Sequence, residues 1–233
     1  MIQRIAAAIA LWAAAAVAAA AVPATTVQFQ TNTIALVADA SDARSESSPL
    51  APAPGLDPVP LFTSALAVNA TDFASAGAIA SGGLFSTSAE ADSATGFTSA
   101  AADAHYTSTY TGPGVINLSL QFTFEGAASA GSAAAGSLSV VVWSGGVVVF
   151  DQLFSTTGSF DLQMPLYGAD HVVDLQLFSE ASTDPLGGFA ASSAQLAFDV
   201  AMAPVPEPGS LVLALAGLAV LGAWTHRRLP SQR

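Results

Sequence analysis

The chain has 233 residues, no cysteine and a formal net charge of -12. The absence of cysteine excludes thiol nucleophiles, disulfides and cysteine-ligated zinc. There is no lysine, and every acidic residue except Glu207 lies between Thr25 and Ala203, where Arg44 is the only cation. Such a surface repels phosphate backbones and excludes nucleic acid as a partner.

The remaining arginines, Arg4, Arg227, Arg228 and Arg233, sit at the two ends of the chain. At the front, Arg4 and the amino terminus precede an alanine-rich apolar run from Ile5 to Val22. A positive start, an apolar centre and small residues behind it define a secretory signal peptide over residues 1–24. Cleavage after Ala21 or after Ala24 fits the small-residue requirement equally well. Alanine is barely hydrophobic enough to hold a lone span, which favours cleavage over retention as an anchor. Signal peptidase and the export machinery are the partners this segment implies.

Residues 25–44 open with a predicted first strand, TTVQFQTNTIALVA. Residues 45–60 carry Pro49, Pro52, Pro54, Pro58 and Pro60, a density that predicts an extended linker. The main domain is expected over residues 61–203, starting near Leu61. Within it, period-two alternation dominates. Ile116, Leu118, Leu120, Phe122 and Phe124 share one face of a predicted strand, with Asn117, Ser119, Gln121, Thr123 and Glu125 on the other. SLSVVVWSGGVVVFDQLF reads as a hairpin turning at Gly145-Gly146, where two glycines accept positive φ. SFDLQM, HVVDLQLF, QLAFDVAM and AHYTSTYT alternate in the same way. The Ala/Ser/Gly stretches at 74–88 and 126–136 are readable as strand or as loop. Short alternating strands without an amphipathic helix predict a mostly β fold, a β-sandwich or jelly roll, flanked by the signal helix and a C-terminal transmembrane helix.

The middle of the chain offers little chemistry. His105 and His171 are its only histidines, so a three-histidine metal centre is impossible there, though folding could build a mixed His/carboxylate site. His171, between Asp170 and Asp174, reads as a solvated histidine at a strand edge. Glu90 and Asp92 fall at i and i+2, on one face of a strand, as a carboxylate pair for glycoside hydrolysis or calcium would. Trp143, Tyr106 and Tyr110 could form a sugar-stacking platform, although Trp143 in its hydrophobic strand reads as core. No nucleophile elbow, dinucleotide fingerprint or phosphate loop occurs. No catalytic residue, metal or cofactor is assigned.

The last segment, 204–233, is the most informative. Val205-Pro206-Glu207-Pro208-Gly209 is fixed in extended form by its prolines. An apolar run follows from Leu211 to Trp224, carried by Leu211, Leu213, Leu215, Leu218, Val220 and Leu221 and closed by Trp224 at interface height. At ~1.5 Å per residue it covers roughly 21 Å, short of the ~30 Å hydrocarbon core. Ser210 at the start and snorkelling arginines at the end extend its reach, so a transmembrane helix is expected over about 210–225. Arg227 and Arg228 form a cytoplasmic stop signal, leaving the acidic middle on the far side.

The order Pro206-Glu207-Pro208, short apolar helix, Arg227-Arg228 at the extreme terminus closely resembles the PEP-CTERM sorting signal of Gram-negative bacteria. LPSQR after the arginine pair departs from the usual abrupt ending. The resemblance implies recognition of Pro206, Glu207 and Pro208 by exosortase, a membrane-embedded protease or transpeptidase. The chain would then reside in the inner membrane during sorting and afterwards at the cell surface or outside the cell. What it implies for function is a non-enzymatic surface or matrix protein of a polysaccharide-producing bacterium. Two alternatives stand beside it: a carbohydrate-binding sandwich that meets extracellular polysaccharide, and a secreted hydrolase.

Overall fold

The computed structural model describes residues 24–37, 44–50, 60–168 and 170–204, with the backbone alone at 44–50 and 204. These residues form twelve strands: β1 (Thr26–Val37), β2 (Arg44–Leu50), β3 (Leu61–Val68), β4 (Asp72–Ser81), β5 (Leu84–Ser93), β6 (Thr98–Thr111), β7 (Gly114–Ala128), β8 (Ala133–Ser144), β9 (Val147–Phe154), β10 (Gly158–Leu166), β11 (Asp170–Ser182) and β12 (Gly188–Pro204). No helix occurs among the described residues.

The strands make two antiparallel six-stranded sheets, ordered β2-β1-β6-β11-β8-β9 and β10-β7-β12-β5-β4-β3. Strands β5 to β12 pair as one long hairpin folded over on itself. Ser144 meets Val147 at its apex, where β8 turns into β9. Next, Phe122 of β7 faces Gly158 of β10, and Ser99 of β6 faces Ser182 of β11. The outermost pair sets Ser93 of β5 against Gly188 of β12. Successive pairs fall in alternate sheets, so the ribbon wraps around a shared interior. The apex works because Gly145 and Gly146 take φ of +58° and +78°, a conformation costly for residues with a Cβ.

Alternation decides what each strand buries. Ile116, Leu118, Leu120 and Phe122 are fully enclosed, and Val140 and Val142, with Val173, Leu175 and Leu177, meet them inside. The two layers touch through aromatic rings: Phe29 of the first sheet lies edge-on to Phe85 of the second at 5.9 Å, and Tyr106 lies 5.0 Å from Phe198. A fully buried ring such as Phe29 or Phe85 stabilises by roughly 1.5–3 kcal/mol relative to exposure. The other half of the interior is built almost wholly of alanine, including Ala65, Ala76, Ala89, Ala102 and Ala190.

The predicted first strand is present as β1, and the alternating segments are all strands. The stretches readable either way, 74–88 and 126–136, prove to be largely strand, in β4, β5, β7 and β8. Two expectations change. The segment read as a linker overlaps β2, which pairs with β1 from Phe29↔Leu50 to Ala35↔Arg44. Proline is compatible with that because β2 is the outermost strand of its sheet, where unpaired positions need no donor. The domain also begins earlier than Leu61, since β1 pairs with β6 along its whole length and contributes Phe29 to the core.

Candidate functional site

The strand β12 lies between β7 and β5, inside its sheet, and hands the chain directly to the sorting segment at Pro204. Val205, Pro206, Glu207, Pro208 and Gly209, the anchor residues through Trp224, the stop residues Arg227 and Arg228, and the cleavage candidate Ala21 lie outside the described residues. The other cleavage candidate, Ala24, is described and packs partly buried against the core.

Folding assembles one polar constellation on the outward face of the first sheet. In β6, Asp103 and His105 stand two residues apart, and β11 brings Gln176 opposite His105 and Asp174 opposite Thr107. His105 Nε2 and Asp174 Oδ2 are 2.7 Å apart, and Thr107 donates to the same oxygen at 3.2 Å. Asp103 accepts from Gln176 and, at 3.4 Å, from Asn32 of β1. Asp103 is only 8% exposed, and desolvation raises its pKa despite those donors and the nearby His105. The hydrogen bond to Asp174 raises the His105 pKa, with burial opposing and the charges of Asp174 and Asp103 assisting. Spacing alone could not locate this meeting of one histidine with two carboxylates. Among the described residues, no group of three or more His, Asp or Glu could hold a metal ion.

Three expected placements are overturned. His171 is 0% exposed, not solvated: it shares the inward phase of Val173 and Leu175, and β11 is an interior strand. Its Nε2 lies 2.9 Å from the Gly112 carbonyl oxygen, to which it donates. Tyr106 and Tyr110 are buried, so they cannot serve an exposed stacking platform, and burial pushes both phenols up. Trp143 is half-buried and out of phase with the core residues Val140 and Val142, so it faces outward rather than in.

Glu90 and Asp92 do share the outward face of β5. The carboxylate that joins Glu90 around one depression is Glu125, from β7, rather than Asp92. Sequence reading placed Glu125 on a polar strand face but had no signal for its neighbour. That neighbour is set by β12, which inserts between β7 and β5.

With this geometry established, comparison with known proteins adds one finding at the end of the chain. Residues 204–228 match the family model of the PEP-CTERM protein-sorting motif. The chain thus carries the mark of an exosortase-targeted surface protein, membrane-associated and then exported. No curated protein matches it. Among solved structures, the infectious bursal disease virus VP2 subviral particle is 13% identical, over 82% of this chain and 67% of that one, at a TM-score of 0.18. The Gx strain of the same virus is 11% identical, over 86% and 74%, at 0.17. Likeness at that level carries no argument about function.

Proposed function

We propose that the chain is a non-enzymatic surface or extracellular-matrix protein, delivered by a cleaved signal peptide and held by a C-terminal transmembrane helix until exosortase processes it. The observation that carries this is the order of parts within the matched segment. A proline-bracketed Glu207 comes first, then an apolar run to Trp224, then Arg227-Arg228. The rigid Pro206-Glu207-Pro208 piece offers a membrane-embedded enzyme an extended, unpaired backbone to grip. Glu207 and its neighbours are a substrate's residues. We read the nested strand order of β5 to β12 as a jelly roll, a scaffold that presents two broad outward faces to its surroundings.

Replacing Pro206, Glu207 and Pro208 together by alanine tests the proposal. Full-length chain should accumulate in the inner membrane, seen by fractionation and immunoblot, with surface protein falling about tenfold or more. Unchanged release would refute exosortase recognition. The carbohydrate-binding alternative is favoured by one specific observation, a polar track on the second sheet, developed below.

A further inference from the structure

We infer that the outward face of the second sheet is a binding track for a neutral, hydroxyl-rich polysaccharide, an inference that rests on the surface-protein reading for access to its ligand. Two depressions lie on this face. One, of about 460 Å³, is bordered by Ser75, Ser88, Ser193, Glu90 and Glu125. The other, of about 300 Å³, is bordered by Asn117, Ser119, Asp161, Gln163 and Asp199. Binding sites for small rings are of this size and carry a few placed polar groups.

The depressions are joined through β7 and β12. Ser119 and Glu125 point to the same side of β7, roughly 20 Å apart at ~3.4 Å per residue. Between them on that side stand Gln121 and Thr123, both polar, and on β12 Gln195 and the small Ala197 stand between Ser193 and Asp199. The result is a line of donors and acceptors rather than a single pocket, which suits an extended chain with repeated hydroxyls. The floor stays low because its residues are small. At Gly77, beside Ser88, an added Cβ would stand 3.2 Å from the Ser88 hydroxyl oxygen. At one end, Phe189 is 38% exposed and pairs across from Asp92, offering a flat apolar surface to the C–H face of a ring.

Charge selects the ligand class. Glu90, Glu125, Asp161 and Asp199 border the track, and between Thr25 and Ala203 the chain has Arg44 as its only cation. A uronic acid or phosphate polymer would meet uncompensated like charge. Neutral hydroxyls can instead donate to the carboxylates and exchange with bonds already formed between side chains, Ser119 to Asp161 at 2.7 Å and Gln163 to Asn117 at 3.0 Å. Both depressions are open to water, so each contact is weak and retention depends on many contacts along one polymer.

The test is affinity electrophoresis of the full chain in non-ionic detergent. Native gels are cast with dextran, hydroxyethylcellulose, galactomannan or, as a polyanion, alginate. The wild-type chain should be retarded in at least one neutral gel and not in alginate. Ser193→Ile and Ser119→Ile, which fill one depression each with a strand-compatible side chain, should weaken retardation about tenfold. Thr109→Ile, on the opposite outer face, should leave it unchanged. The inference is overturned by no retardation in any neutral gel, by retardation in alginate alone, by unaltered retardation of both serine variants, or by equal loss in Thr109→Ile. A chain that is processed normally at its tail yet never retarded would remove the track and leave the sorting proposal standing.

Discussion

Thr87 and Ser179 are buried hydroxyls that share a 2.6 Å hydrogen bond across the interior, one from each sheet. Ser179 also donates to the Thr87 carbonyl oxygen at 3.3 Å. A buried hydroxyl left without its partner costs more than the bond itself was worth, because desolvation is no longer offset. Ser179→Ala, which strands the Thr87 hydroxyl, should therefore lower stability by about 1–3 kcal/mol, and Thr87→Val by less, because Ser179 keeps the Thr87 carbonyl oxygen. The double variant should lose clearly less than the two losses added together, a coupling that thermal melts of the four proteins would expose. Strictly additive losses would mean the bond does not couple the layers. His171 teaches a related lesson about reading sequence. Its phase with Val173, Leu175 and Leu177 already placed it inside, but a histidine flanked by Asp170 and Asp174 reads as polar surface. Only the folded chain reveals the Gly112 carbonyl oxygen that accepts from its Nε2, while its buried Nδ1 has no hydrogen-bond partner.

Among the described elements, β6 and β11 carry a pH response through His105 and Asp103. His105 and Asp103 of β6 face Asp174 of β11, while β1 contributes Asn32, which does not titrate. The folded pKa of His105 is raised, so its contribution to stability is complete below the unfolded value near 6.5 and fades as pH climbs through the folded one. Asp103 acts in the same sense over a more acidic window, because its raised folded pKa favours the protonated carboxyl. The domain should thus melt at a higher temperature at pH 6 than at pH 8. His105→Gln should flatten the part of that difference around neutrality. A profile identical in wild type and variant would show that the His105–Asp174 pair is energetically silent. The elements also mark how far sequence reading reached. Strands with bulky alternation, such as the core of β7, declare themselves. In β4 and β5 the inward residues are largely alanine, while the outward ones mix Ser75, Ser86 and Ser88 with Phe73, Ile79 and Leu84, so hydropathy reveals no period. β2 hid behind its prolines, which an outermost strand tolerates.

At the scale of the whole molecule, sequence and structure are informative about different ends of the problem. The sorting segment was legible because it is linear, its parts being read in order along the chain. The polar track was not, because Glu90, Glu125, Asp161 and Asp199 come from four strands whose neighbours are fixed only by the nested pairing. Removal of the tail predicts that protein recovered from the cell surface yields no peptide containing Arg227 by mass spectrometry. Finding that peptide outside the cell would contradict processing.

The position of β12 has a mechanical consequence. It is the last of the described strands, it is flanked by β7 and β5, and the sequence continues from its end into the segment expected to hold the chain at the bilayer. Pairing with β5 ends at Ala197↔Leu84, so a load entering at Pro204 would reach the β5 ladder only deeper in the strand. On the proposed reading, any strain carried by that segment enters the domain through an interior strand rather than an outermost one.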